Sequence, residues 1–431
     1  MIEVGRELVL GEITSVITKG TTPTTLGYAF TDEGVGFIKV ESISEGGTII
    51  PEKLSHIDDK THDVLRRSKL HEGDILFSIA GAIGRTALVD GSILPANTNQ
   101  AIAIVRVDDS LAVPKYVYYY LRSATFLNYS LGRVVQTAQA NVSLGELRKA
   151  PIRLPARAVQ QKIAGILSSY DELIENNVRR MEILEESARS LYQEWFVHFR
   201  FPGHASVPLV ESDMRPIPEG WEIKTLRGVL ARLESGSRPR GGVDPNERGV
   251  PSIGAENITG LGKYDYAKEK YVSQGFYSRM RRGHVVSGDV LLYKDGAHIG
   301  RKTLFRDGFP HARCCINEHV LILRANEPVT QSYLFFWLDQ PDMTQTIRNL
   351  NSNAAQPGIN QEGVKNLPIL IPDPTILRSF ERLVDPILAQ LFNLAKQTRI
   401  LGHTRELLLP KLISGEIDGS RIEVGSLHDG S

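Results

Sequence analysis

Side chains able to engage a polyanion stand in two sets at matching places along the chain. Lys19-Gly20-Thr21-Thr22-Pro23 and Ser237-Arg238-Pro239-Arg240-Gly241-Gly242 put ammonium, guanidinium and hydroxyl groups on short glycine-bearing loops. Arg66, Arg67 and Lys69 form a basic cluster, and Arg279, Arg281 and Arg282 form another at the corresponding place. Such groups follow a phosphate backbone or reach base edges, where Arg pairs with guanine and Asn or Gln with adenine. The competing reading is a solvated charged surface, and occurrence in both halves favours the functional one. Gln139-Ala140-Asn141-Val142-Ser143 and Gln356-Pro357-Gly358-Ile359-Asn360 add amides and hydroxyls that either face bases or cap the turn into the next element. The expected DNA-facing set is therefore Lys19, Thr21, Thr22, Arg66, Arg67, Lys69, Arg85, Gln139, Asn141 and Ser143, then Ser237, Arg238, Arg240, Arg279, Arg281, Arg282, Arg301, Gln356 and Asn360.

Other chemistries find less support. Gly296-Ala297-His298-Ile299-Gly300-Arg301-Lys302-Thr303 approaches a phosphate-binding P-loop, but its glycines are one residue too close and Arg301 stands where that motif needs Lys. Its counterpart Gly81-Ala82-Ile83-Gly84-Arg85 lacks the Lys, so both read as turns between strands. His198, His204 and His311 lack the spacing of a zinc site, and the two cysteines are the neighbours Cys314 and Cys315. No metal site is expected. The carboxylates are scattered, no nucleophile stands beside a recognisable base, and no methyl-donor motif is present. The chain is expected to be non-catalytic.

Lys plus Arg and Asp plus Glu are equal at 50 each in 431 residues, so a nucleic-acid function must rest on local clusters. That length suits two or three domains. Paired neighbouring cysteines fit a reducing compartment, and no apolar run reaches the length of a membrane span. The start Met1-Ile2-Glu3-Val4-Gly5-Arg6 lacks a signal-peptide core. These features predict a soluble, cytoplasmic protein with no membrane partner.

Two long helices must position the loops. Ile163, Leu167, Tyr170, Ile174, Asn177, Met181, Leu184, Ala188, Leu191 and Trp195 fall at steps of four and three. Phe380, Val384, Ile387, Leu391, Leu394, Thr398, Leu401, Arg405, Leu408 and Leu412 repeat that stepping, displaced by 217 residues. Both are heptad seams, with Ile163, Leu167, Ile174, Asn177, Leu184, Leu191, Val384, Leu391, Thr398, Leu401 and Leu408 as the expected coiled-coil or partner residues. An antiparallel pairing of positions whose numbers sum to 575 sets Asn177 opposite Thr398. Two separate amphipathic helices are the alternative. Pro386 disfavours an unbroken second helix.

A globular region precedes each helix. Val35–Val40, Asp74–Ile79 and Ala101–Val107 read as strands and Pro114–Ser130 as a helical segment. Phe201–Gly220 is dense in Pro and Gly and reads as a linker. The regions repeat one another. Arg66-Arg67 with Gly73-Asp74-Ile75-Leu76 matches Arg281-Arg282 with Gly288-Asp289-Val290-Leu291, and Asn99 and Arg106 match Asn317 and Arg324.

With these residues in view, the chain resembles the specificity subunit of type I restriction-modification enzymes. The carriers are Gly73-Asp74-Ile75-Leu76 and its repeat, Gln161-Lys162-Ile163-Ala164-Gly165-Ile166-Leu167, Leu191–Phe199, Ile217-Pro218-Glu219-Gly220-Trp221 and Leu407–Ile417. They span nearly the whole chain in the family's order. The start of the second helix departs from the pattern, because Leu377–Leu383 lacks the Gln-x-x-Ile-Ala form.

The resemblance implies an α/β (α+β) chain with target-recognition domains at 1–155 and 217–372. Spacer helices follow at 156–200 and 373–415 and form an antiparallel coiled coil, with a linker at 201–216 and a flexible tail at 416–431. It implies binding to a bipartite, asymmetric double-stranded DNA site, docking of two modification (methyltransferase) subunits that hold S-adenosylmethionine, and recruitment of restriction subunits using ATP and Mg2+. About 33 helical residues at ~1.5 Å each give roughly 50 Å, which would set half-sites on the order of one DNA turn apart. A coiled-coil scaffold without DNA contact, and the DNA-reading subunit of a related fused enzyme, are the alternatives.

Overall fold

A computed structural model of the chain describes residues 6–133, 141–350 and 358–421. The contacts divide it into two units, one of Met1–Glu172 with Leu401–Ser431 and one of Leu173–Ile400.

The first unit is built on a four-stranded antiparallel sheet in the order Thr14–Lys19, Ile102–Val107, Ile75–Ser78, Thr86–Leu88. Strand side chains alternate between faces, and here both faces are covered. Ile75, Phe77, Ala103 and Val105 enter one core, while Leu76, Ile102 and Ile104 enter another. That double burial explains why Ile75–Phe77 and Ile102–Val105 read as continuous apolar runs. A smaller sheet orders Ser55–Ile57, Val35–Ile38 and Ala96–Thr98, the last two parallel, and Arg6–Val9 pairs with Pro151–Leu154.

The second unit repeats this order strand for strand. Its four-stranded sheet runs Leu230–Ser235, Val320–Ala325, Val290–Tyr293, Lys302–Leu304. Its smaller sheet runs Tyr271–Val272, Val250–Ile253, Cys315–Ile316, and Glu222–Thr225 pairs with Pro368–Ile371.

The helical segment predicted from Pro114 is two helices, Pro114–Arg122 and Ala124–Leu131, because Ser123 accepts from the Phe126 amide and starts the second. Tyr116 and Tyr120 donate their hydroxyls to the Arg153 and Pro151 carbonyls at 2.8 and 2.7 Å. In the second unit Tyr333 and Trp337, on the helix Gln331–Asp339, donate to the matching Leu370 and Pro368 carbonyls at 2.6 and 2.9 Å. Each buried aromatic thereby keeps its polar tip satisfied.

The long helices are Arg157–Tyr192 and Pro374–Ser414, and each contributes to both units. In the first unit Ile163, Ala164 and Leu167 share a core with Leu412 and Ile413, with Leu408 packed against it. Arg405 forms an ion pair with Asp171, while Lys162 donates to the Ser420 carbonyl at 2.9 Å. Numbers fall along one partner as they rise along the other, so the pairing is antiparallel. In the second unit the Trp195 and Phe380 rings lie 6.1 Å apart, and Met181 shares a core with Leu391 and Leu394, again antiparallel. Leu184 and Leu191 pack against that core; Ile174 and Leu401 are half-buried and Val384 is fully buried.

Two expectations are corrected. The second helix runs unbroken through Pro386, which sits on the exposed face. There the carbonyl four residues earlier can turn to solvent, while full burial of Phe380, Val384, Leu388 and Leu391 outweighs the local cost. Thr398 Oγ1 is buried without a hydrogen-bond partner among the described residues. The tail is not free immediately after the helix. Ile417 N–H donates to the Lys411 carbonyl at 3.0 Å, and Gly419 packs on Ile163 and Val159. Among the described residues no helix is long and apolar enough to cross a membrane.

Candidate nucleic-acid interface

In each unit the loops singled out by their chemistry come together on one repeated backbone frame. Gly20, directly after the strand Thr14–Lys19, lies so close to the opposite chain that a Cβ there would stand 1.8 Å from the Thr98 carbonyl oxygen. Gly236, after Leu230–Ser235, stands 1.7 Å from the Ile316 carbonyl oxygen by the same measure. Only glycine permits that approach, and it presses the loops Lys19–Thr22 and Ser237–Arg240 against the segments at Asn99 and Asn317.

The frame continues identically. Val142 N–H donates to Ile79 and Ile79 N–H to Ala101, both at 2.9 Å. Ile359 N–H donates to Lys294 at 2.8 Å and Lys294 N–H to His319 at 3.0 Å. The basic clusters join the same surface. Arg67 Nη2 donates to Thr21 Oγ1 at 3.2 Å. Gly283 N–H, next to Arg282, donates to the Glu234 carboxylate at 2.9 Å, and a Cβ at Gly283 would be 2.8 Å from Gly236 Cα.

On this frame the predicted residues divide by what they touch. Among the described residues, Lys19, Arg66, Arg240, Arg279, Arg281 and Arg282 are exposed and form no ion pair, which leaves their charge available to phosphate. Arg301 is exposed on the Gly296–Gly300 turn. Lys69 pairs with Asp63 at 2.7 Å, and Arg238 with Glu318 at 2.9 Å. Ser237 is half-buried and Asn141 exposed, the latter bridging to Ala80. Arg85 turns inward and donates to the Val40 and Ile43 carbonyls at 3.3 and 3.2 Å, so it holds the turn down. Ser143 and Asn360 act as helix caps, accepting from the Glu146 and Gly363 amides at 3.1 and 2.7 Å. Gln139 and Gln356 lie outside the described residues.

The turns that resembled a P-loop connect antiparallel strands. Gly81 and Gly84 have φ of 75° and 95°, Gly296 and Gly300 of 71° and 87°, a conformation that explains the glycine spacing without a phosphate.

Residues not anticipated also meet here. Thr22 Oγ1 hydrogen-bonds Gln100 Oε1. His319 lies between Asp295, at 2.8 Å from Nδ1, and Glu318, at 3.2 Å from Nε2. The available signal was the match of Asn99 to Asn317, directly before these residues. Beneath the surface, Asp74 and Asp289 are wholly buried and each binds an Arg of the neighbouring strand, Arg106 and Arg324. The carboxylate hydrogen bonds raise both guanidinium pKa values above the usual range.

Comparison with known proteins places this arrangement. Residues 7–186 match the family model of the type I restriction modification DNA specificity domain. The MjaIX type I specificity subunit of Methanocaldococcus jannaschii is 27% identical over 360 residues, covering 80% of this chain and 78% of that one. The HindI specificity subunit of Haemophilus influenzae is 20% identical over 449 residues, covering 86% and 93%. The crystal structure of a type I restriction-modification system S subunit from M. genitalium superposes with a TM-score of 0.57 at 15% identity, over 95% of this chain and 96% of that one. That likeness speaks for the fold. Along most of its length the chain is thus similar to type I restriction-modification specificity subunits, and its residues 7–186 match the DNA specificity domain of that family.

Proposed function

We propose that this chain is the sequence-specific DNA-binding specificity subunit of a type I restriction-modification complex, with each unit reading one half of a bipartite, asymmetric duplex site. The observation that carries this reading is the repeated loop frame, which presents unpaired basic side chains and hydrogen-bonding groups at equivalent places in both units. Free guanidinium groups suit phosphate contacts, and the polar groups between them suit base edges.

The chain itself is non-catalytic in this reading. Two modification subunits bring S-adenosylmethionine and the methyl transfer, and restriction subunits bring ATP- and Mg2+-dependent cleavage. Partner subunits also supply much of the phosphate contact, which fits a chain with 50 basic and 50 acidic residues.

The test is to map methylation across the genome of cells expressing this chain with the adjacent modification subunit, and of cells lacking this chain. The expected result is a two-part methylated motif with a fixed gap, lost on deletion and altered on one side only when residues 1–155 are exchanged. Unchanged methylation, with the partner shown to be active, would sink the reading in favour of a scaffold.

A further inference from the structure

Four side-chain positions differ in chemistry between the two units although the backbone beneath them is the same. Where the first unit carries Thr22, Ala80, Gln100 and Ala101, the second carries Arg238, Asp295, Glu318 and His319. The equivalence rests on pairing. Gly20 and Gly236 make the same close approach. Ala80 bridges Asn141 as Asp295 bridges Gly358. Asn99 Oδ1 accepts from the Ala101 amide at 3.1 Å, as Asn317 Oδ1 accepts from the His319 amide at 2.9 Å.

In both units the first and third positions hold each other. Thr22 Oγ1 donates to Gln100 Oε1, and the Arg238 guanidinium forms an ion pair with Glu318, Nε to Oε1 at 2.9 Å. The second unit extends the contact, with Arg238 Nη2 3.3 Å from His319 Nε2 and His319 Nδ1 2.8 Å from Asp295 Oδ2. His319 Nε2 also lies 3.2 Å from Glu318 Oε1, so the imidazole stands among the guanidinium and both carboxylates. Arg238 remains 43% exposed at its side chain although it is held along its Nε edge.

We propose that this interchangeable set decides one base in each half-site: Arg238, aimed by Glu318 and His319, reads a guanine through its guanidinium edge, and Gln100, aimed by Thr22, reads an adenine through its amide. A guanidinium fork matches guanine O6 and N7, and a carboxamide matches adenine N6 and N7. Glu318, His319, Asp295 and Thr22 are positioning residues here. Fixing a long side chain before binding lowers the ordering cost of the contact. A rigid common frame with exchangeable side chains lets two halves of one chain read different sequences.

The proposal rests on the DNA-reading function given above, and the experiment separates the two. Methylation is mapped in cells carrying the full chain with its modification subunit, and the half-site read by the second unit is identified by exchanging residues 217–372. A wild-type chain that directs no methylation defeats the DNA-reading function itself. Given a wild-type motif, the variant Arg238→Thr, Asp295→Ala, Glu318→Gln, His319→Ala is expected to replace a guanine of that half-site by adenine, with the other half and the gap unchanged. Retention of the wild-type motif, or change in both halves, overturns the proposal.

If that variant directs no methylation, Arg238→Lys decides, because it keeps the charge and removes the fork. The expected result is a loss of guanine preference by about tenfold or more at one position only. Intact preference overturns the proposal. So does a uniform fall at every site, which is the signature of a phosphate contact.

Discussion

Asp74 accepts two hydrogen bonds from Arg106, from Nε and Nη2 at 2.7 Å each, and Asp289 repeats the arrangement with Arg324 at 2.7 and 2.8 Å. Each carboxylate also receives a loop amide, His71 N–H or Val286 N–H, at 2.8 Å. The Asp of the repeated Gly-Asp motif therefore fastens the turn before one central strand to the neighbouring strand. Removing one member of a buried pair strands its partner's charge. Asp74→Asn is expected to destabilise the first unit by about 2–3 kcal/mol, somewhat below the value for a sealed pair because the Arg106 side chain is 27% exposed. Urea unfolding followed by fluorescence checks it, and a change within about 0.5 kcal/mol would mean that the pair contributes nothing net.

Gly20→Ala and Gly236→Ala are expected to abolish or strongly reduce methylation, because the new Cβ would stand under 2 Å from a backbone carbonyl oxygen. Gly228→Ala, with no atom within 4 Å of the added Cβ, serves as the control and should be neutral. Full methylation by Gly236→Ala would show that the loop position does not matter to recognition.

Arg240 is exposed and forms no ion pair among the described residues. Arg240→Ala is expected to weaken occupancy of the half-site read by the second unit, with assembly on the modification subunit intact by gel filtration. Equal loss of assembly would reassign this residue to folding.

Asp171 receives Tyr119 Oη at 2.6 Å as well as Arg405, joining the first unit's globular part to both of its helical segments. A double-mutant cycle with Asp171→Asn and Arg405→Gln is expected to give a coupling of roughly 1–2 kcal/mol. Leu167→Asp, at a position with no exposed surface, should prevent soluble expression of the chain by burying an unpaired charge. A folded, soluble Leu167→Asp protein would contradict the helix packing.

Glu362 gives a pH-dependent readout. Hydrogen bonds from Lys365 and Arg227 lower its carboxyl pKa to about 2 from an ordinary 4.5. A depressed folded-state pKa stabilises above the unfolded value, so this contribution is present above pH 4.5 and is lost as pH falls through about 2. Carboxyl NMR titration should find that midpoint near 2, and Arg227→Gln should move it upward.

Much of the architecture was legible in the sequence because it rests on periodicity and repetition. The heptad seams from Ile163 and from Phe380 specify two helices with complementary apolar stripes. Repetition of Gly-Asp-Ile-Leu as Gly-Asp-Val-Leu implied two copies of one fold, and the basic loops were visible as types of residue at matching places. Pro386 misled because local propensity weighs each residue alone, whereas burial of its helix's opposite face is a collective gain. Tertiary structure alone decided which polar groups face outward. Arg85 and Arg301 occupy equivalent turns, yet one hydrogen-bonds buried carbonyls and the other meets solvent. The pairs Thr22 with Gln100 and Arg238 with Glu318 join residues some eighty positions apart, brought together by the close approach of Gly20 and Gly236 to a neighbouring strand end. A hydrogen bond is set by distance and angle in three dimensions, and the order of residues along the chain carries neither.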